Sequence, residues 1–241
     1  MYSSCQKVEN RASNGFAVLI AYTYSKSLDN QGGYSDTARS SIQNDNNPNA
    51  DYAVSDFNLG QTLVVSPMYQ LPFGRGQRFL GSGRYVNMFA GGWEVTAIVT
   101  ATSGPPFTVT ASQDYSNTGS SSPRPDRVCK GTGPKKVTDW FNLNCFSTVA
   151  LAQALANGTP RFGTSGRGIL TAPGVQNWDI GLNKTTNITD RVNAEFKVQF
   201  FNAFNHTDLG SPDAVIGSGE AGIISGAGSA RDLQLAVKLK F

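Results

Sequence analysis

Residues 231–241 alternate without a break: Leu233, Leu235, Val237, Leu239 and Phe241 fall on one face of an extended chain, and Gln234, Ala236, Lys238 and Lys240 on the other. Successive side chains of a β-strand point to opposite sides, so this run has one apolar face and one wet face. Two objects use such a strand. One is the half-buried edge of a soluble sandwich; the other is the wall of a transmembrane barrel, apolar toward lipid and polar toward the lumen. A single strand does not separate them.

Composition removes several other classes. With 39% hydrophobic residues, 15% charged residues and 26 glycines among 241, the chain is neither a disordered tail nor a charged helical protein. The longest apolar stretch, Phe16 to Ala21, is far short of the roughly 20 residues of a membrane helix. The amino terminus shows no basic start, apolar centre and small-residue cleavage site. Net charge is only +3 with the basic residues scattered, which gives no nucleic-acid footprint.

The alternation recurs upstream. Val192, Ala194, Phe196, Val198 and Phe200 oppose Asn193, Glu195, Lys197 and Gln199, and just before them Trp178, Ile180 and Leu182 oppose Asn177, Asp179, Gly181 and Asn183. A turn at Asn187 to Asp190 joins the two runs into a hairpin. Trp93, Val95, Ala97, Val99 and Ala101 oppose Glu94, Thr96, Thr100 and Thr102; Phe57, Leu59, Leu63, Val65, Tyr69 and Leu71 oppose Asn58, Gly60, Thr62, Ser66 and Gln70. Phe16, Val18, Ile20, Tyr22 and Tyr24 oppose Ala17, Ala21, Thr23 and Ser25, and a poorer run spans about Ser4 to Arg11. The pattern predicts seven strands, and runs of about 9–11 residues fit tilted membrane strands better than the usual 5–6 of soluble sheets.

The connections alternate in character. Compact links lie at Ser13 to Gly15, Pro72 to Met88 and Asn187 to Asp190, and long polar ones at Leu28 to Asp56, Ser112 to Pro173 and His206 to Ala230. An outer-membrane barrel sorts its connections this way, with short periplasmic turns and long extracellular loops. If the last strand ends in the periplasm, every long connection falls outside. Seven is odd where bacterial single-chain barrels are even, so the chain is expected to be the carboxy-terminal part of a longer barrel, and the missing signal peptide agrees.

Several segments together resemble the barrel of Oar-like TonB-dependent outer-membrane receptors. They are FAVLIAYTYSKSLDN (Phe16 to Asn30), YQLPFGRGQRFL (Tyr69 to Leu80), GGWEVTAIVTATSGPPFTV (Gly91 to Val109), RPDRVC with WFNLNCF (Arg124 to Cys129, Trp140 to Phe146), FGTSGRGILTAPGVQNWDIGLNK (Phe162 to Lys184) and FFNAFNH (Phe200 to His206). The resemblance implies an all-β, antiparallel barrel of about 22 strands with a plugged lumen, of which residues 1–241 are the carboxy-terminal portion. It implies energy delivered from the inner membrane by TonB, acting through a plug and an energy-coupling segment. Those parts, and the amino-terminal carboxypeptidase-regulatory-like domain, are missing from this sequence, so an active transport cycle is not expected of this portion alone. The terminal set Leu233, Leu235, Val237, Leu239 and Phe241 also resembles the carboxy-terminal assembly signal of bacterial outer-membrane proteins. The expected location is the outer membrane of a Gram-negative-type bacterium. The expected partners are its lipid and lipopolysaccharide, the barrel assembly machinery and an unidentified extracellular ligand.

Catalytic chemistry is thinly supplied: one histidine, three cysteines, and carboxylates scattered mainly among loops. The expectation is a non-enzyme without cofactor. His206 reads as a loop histidine at the mouth. Gly217, Gly219 and Gly222 spell GxGxxG with no room for a βαβ unit before the chain ends, and read as a flexible loop. Cys129 and Cys145, in one outer loop, read in an oxidising location as a local disulfide rather than free thiols, closing a loop worth about 3 kcal/mol by chain entropy. That leaves Cys5 without a partner here. Asn44 to Asp51 reads as an Asx-rich turn rather than a Ca²⁺ loop, because Pro48 is present and the required glycine is not.

Lys26, Arg39, Arg124, Arg127 and Arg161 could meet lipopolysaccharide phosphates or an anionic substrate, or be plain solvated charge. Asn193, Glu195, Lys197 and Gln199 form a lumen-facing row whose Glu195 and Lys197 are neighbours; such wet pairs are weak. Tyr34, Tyr52, Tyr115 and Trp140 in oxygen-rich loops suit sugars, peptides or metal chelates alike. The functional alternatives are a receptor or transporter barrel, a structural or adhesive surface protein, and a soluble carbohydrate-binding sandwich. The last requires Phe196, Val198, Phe200, Leu235 and Val237 to pack into a core.

Overall fold

Alternating runs rich in Val, Ile, Thr and aromatic residues suit a pleated surface, and each of the predicted runs becomes a strand. A computed structural model of the protein describes residues 2–11, 15–30, 42–44, 46–74, 76–80, 88–120, 123–189 and 192–241. Its long strands are β1 (Tyr2–Arg11), β2 (Phe16–Lys26), β3 (Gln61–Gln70), β4 (Trp93–Thr102), β5 (Val175–Asn187), β6 (Asn193–Phe201) and β7 (Asp232–Lys240). They form one seven-stranded sheet in sequence order, every neighbouring pair antiparallel. The sheet is open, with β1 and β7 at its edges.

Register sorts the faces. Directly opposed residues share a face; one row runs Phe16, Tyr69, Val95, Leu182, Val198, Leu235 across six strands. The row one step away runs Ala17, Met68, Thr96, Gly181, Gln199, Gln234 and lies on the opposite face. A slip of one residue would exchange the two rows, so the apolar pattern fixes the register.

Among the described residues no second sheet covers the apolar face at β7. Leu235 and Val237 are 70% and 64% exposed, and Phe196 is 44% exposed. This is opposite to the sandwich expectation, in which those residues form a core. The buried apolar core lies instead in the long connections, around Val109, Phe141, Cys145, Phe146 and Leu170.

In an antiparallel meander, alternate connections fall at alternate ends. The short ones, 12–15, 71–92 and 188–192, share one end, and the long ones, 27–60, 103–174 and 202–231, share the other. Two boundaries differ from the sequence expectation. Phe57 and Leu59 precede β3, because Asn58 is held in a turn: its N–H donates to the Ser55 carbonyl and its side chain accepts from the Ser27 N–H. The weakly patterned first run is a full strand, paired with β2 from Tyr2↔Lys26 to Arg11↔Ala17. Its ladder supplies what its side-chain pattern lacks. Asp190, the last residue of the predicted β5–β6 turn, and Ser13 lie outside the described residues. Among the described residues no helix is long and apolar enough to cross a membrane.

Candidate functional site

At the long-loop end, the three connections fold onto one another. Within 27–60, Leu28–Asp29 pairs with Ala53–Val54. Within 103–174, Pro106–Phe107 pairs with Leu170–Thr171, Asp126–Arg127 with Phe146–Ser147, and Thr132–Lys136 with Asp139–Phe141. A helix, Val149–Ala156, completes this connection and buries Leu151. A parallel pairing of Thr110–Ala111 with Val215–Ile216 joins it to 202–231, and the Trp140 N–H donates to the Gly222 carbonyl at 2.9 Å. Aromatic packing fills the centre, with Phe141 meeting Phe146 edge-on at 5.7 Å. A disulfide joins Cys129 to Cys145 across a Cα separation of 4.8 Å, pinning the Thr132–Phe141 hairpin beside that core. Cys5 is a free, exposed thiol on β1.

Two buried arginines stitch 27–60 to 103–174. Arg124 pairs with Asp51 at 2.5 Å, both side chains almost wholly buried, and its Nε donates to the Gln43 side chain. Gln43 in turn donates its backbone N–H to Asp51 at 3.0 Å and its side-chain amide to the Gly163 carbonyl at 3.2 Å. Arg167 pairs with the Asp29 carboxylate, donates to the carbonyls of Asp51 and Asp29 at 3.0 and 2.8 Å, and lies 3.6 Å from Asp56. Burial pushes the Arg124 guanidinium below its ordinary value; Asp51 pulls it up and the neighbouring Arg167 charge pushes it down.

Outside this pair, Arg161 grips Asp126 with two bonds of 2.9 and 2.6 Å. That hydrogen bonding holds Asp126 below the usual carboxylate range, against some desolvation, and raises Arg161. Asp114 also sits low: desolvation opposes its charge, but Ser116, Thr118 and Gly119 donate to its carboxylate.

These contacts correct the expectation of free basic groups. Arg124 is buried, Arg161 is committed to Asp126, and Arg127 donates to the carbonyls of Cys129 and Lys130 at 2.8 Å each. Lys26 ends β2; Arg39 and Tyr34 lie outside the described residues. The glycine loop is pinned rather than loose, since Gly222 both donates to Asp213 and accepts from Trp140. Asn44 to Asp51 holds an Asx turn, Asn46 N–H to Asn44, then a 3₁₀ turn at Pro48–Asp51. No group of three metal-ligating side chains occurs among the described residues. His206 follows β6, with Nδ1 3.3 Å from Asp208. Sequence reasoning missed Arg167 and its partners Asp29 and Asp56. The available signal was an arginine between two glycines, Gly166 and Gly168, in a stretch otherwise poor in charge.

The polar face carries the predicted row. Asn193, Glu195, Lys197 and Gln199 share one side of β6, with Glu195 between Lys197 at 2.9 Å and Lys240 at 3.1 Å. Asn183 donates to Glu94 at 3.2 Å. A cleft of about 460 Å³ opens there, lined by residues including Gln70, Glu94, Asn183, Glu195 and Lys197. On the apolar face, aromatic rings mark both ends. Phe16 and Tyr69, 6.3 Å apart, and Trp93 stand at the short-turn end, and Trp178 meets Phe204 at 5.5 Å near the loop end. Rings at two levels, flanking an apolar band, fit the two interfaces of a bilayer.

A family model for an outer membrane beta barrel domain matches residues 1–234, which takes in every long strand up to the start of β7. No curated protein and no solved structure matches the chain. With a two-faced antiparallel meander, loops sorted by end and a family match over nearly its whole length, the chain belongs to the outer membrane beta barrel domain family and is an outer-membrane protein.

Proposed function

We propose that the chain is part of the barrel of a TonB-dependent outer-membrane receptor of the Oar-like kind, in which the loop assembly meets an external solute. In this reading the polar face lines the path inward. About 22 strands would close the barrel around a plug, and TonB would energise release through that plug. The reading is carried by one observation: three long connections, fastened by a disulfide and buried ion pairs, are folded into a single platform at the end of the sheet opposite the short turns. Binding sites are commonly built on loops held by a rigid scaffold. The segment resemblances described above support the receptor class over a general porin.

The same platform favours a second reading, an adhesive or structural surface protein, since pinned loops can present a contact surface without any solute crossing. The two readings separate in cells carrying the complete protein, with and without TonB. Accumulation of a labelled chelate, oligosaccharide or peptide that needs TonB supports the receptor; surface attachment unaffected by TonB, with no solute accumulated, supports adhesion.

A further inference from the structure

Lys184 stands on the wrong face for a charge. It lies directly opposite Trp93 of β4 and Phe196 of β6, so it shares the apolar face with Ile180 and Leu182. Only 6% of it is exposed. Its ammonium donates to the Gly91 carbonyl and lies 5.5 Å from the centre of the Trp93 ring. Both partners are neutral, and among the described residues no carboxylate forms an ion pair with it. An ammonium has three N–H donors, and buried charge is normally paired.

The surroundings indicate what would pair it. Lys184 sits at the short-turn end, which is the periplasmic end of a barrel so oriented. The Trp93 indole N–H donates to the Phe89 carbonyl at 2.9 Å, and Phe89 itself is 71% exposed. A hollow of about 220 Å³, lined by residues including Met88, Gly91, Thr185, Thr186, Asn187 and Ile188, opens beside the same Gly91 whose carbonyl accepts the Lys184 hydrogen bond. The Thr186 hydroxyl reaches the Met88 carbonyl at only 3.4 Å, so it remains available to a better acceptor. A cation with spare donors, a hydroxyl and an indole ring at the rim of an apolar wall match a lipid phosphate above its acyl chains.

We propose that Lys184 and the adjoining hollow bind the phosphate headgroup of a phospholipid in the inner leaflet of the outer membrane. The proposal rests on the apolar face being lipid-facing. Lipopolysaccharide is excluded as the source because it occupies the other leaflet, beside the long loops.

The test uses the complete protein, folded in mild detergent and stripped of lipid, with dioleoylphosphatidylglycerol added and retention read by native mass spectrometry. Wild type and Lys184→Arg should hold one lipid through the stripping wash. Lys184→Gln should bind about tenfold more weakly, the loss expected for a charge-assisted hydrogen bond. Lys197→Gln, on the polar face, should bind like wild type. Equal retention by Lys184→Gln and wild type, in a protein that still floats with vesicles, overturns this site alone. Failure of the wild-type protein to float with vesicles overturns the membrane reading itself. Displacement of the lipid by lipopolysaccharide as readily as by phosphatidylglycerol overturns the leaflet assignment.

Discussion

At Asp126 a single carboxylate ties Arg161 and the Thr164 N–H to the strand pair beside the disulfide. Its affinity for a proton is depressed in the folded protein, so it binds fewer protons folded than unfolded below neutrality. The stability it contributes is therefore present above the unfolded value of about 3.9 and is lost as pH falls through the lower folded value. Arg161 shifts upward, so its contribution fades only in strong alkali. Exchange of the Thr164 amide should accelerate in acid below about pH 4, and an Asp126→Asn variant should exchange faster at neutral pH with a shallower acid dependence. An unchanged acid profile would remove Asp126 from the account. Arg124 presents a larger effect. Arg124→Met would leave Asp51, whose side chain is 3% exposed, buried without its charge partner and held only by the Gln43 N–H, costing about 3–5 kcal/mol. Native-state proteolysis of the 103–174 connection should read this; a wild-type cleavage rate would show that the pair contributes little. Gly163 explains why this junction is glycine: a Cβ there would come within 1.9 Å of the Arg124 carbonyl oxygen.

At the scale of elements, β6 offers the most direct test of facing. Val198 and Gln199 are adjacent in sequence but lie in opposite rows. Val198→Arg should cost roughly 2–4 kcal/mol of folding free energy in bilayers and Gln199→Arg far less; equal losses in urea titrations would show that the faces are misassigned. The loop element behaves separately. Reduction of the Cys129–Cys145 bridge should destabilise the loop assembly by about 3 kcal/mol while leaving the strand ladder intact, seen as faster proteolysis of 103–174 with unchanged far-ultraviolet dichroism. This division follows what could be read in the sequence. Strands were legible because lipid and lumen enforce a period of two over nine or more residues, as in Leu233 to Phe241 or Val192 to Phe200. The loop platform was not. Its pairings are mostly two residues long, as at Leu170–Thr171 and Phe107, too short to leave a period. Its buried polar contacts join residues far apart in sequence, as Arg124 does by a hydrogen bond to Gln43 and an ion pair with Asp51. The disulfide was accessible only because cysteine is rare and its chemistry is restrictive.

For the whole molecule, direction matters more than strand number. β1 and β7 are separated by an even number of antiparallel steps, so both run from the loop end toward the short-turn end. Bringing these two edges together, within one copy or between identically oriented copies, would make a parallel seam. An all-antiparallel barrel built on this sheet therefore takes an odd number of further strands, and each edge then meets a strand running outward. Inside lipid an unpaired edge costs several kcal/mol for every unmet N–H or carbonyl, which makes this a requirement of assembly and not of local stability. The exposed apolar row of β7, closed by a 94% exposed Phe241, sits at one such edge. Replacing Phe241 with Asp in the complete protein should therefore lower the amount of heat-resistant, folded barrel in outer-membrane fractions without altering the loop assembly. The control is a cysteine placed at Asn157, just past the helix Val149–Ala156, in a Cys5→Ser background. An impermeant maleimide added to intact cells should label Asn157→Cys in whatever barrel does assemble, whereas Ile188→Cys, in a short turn, should react only after the outer membrane is opened. Labelling of Ile188→Cys on intact cells would invert the molecule, and normal levels of folded Phe241→Asp protein would show that this edge aromatic does not govern closure.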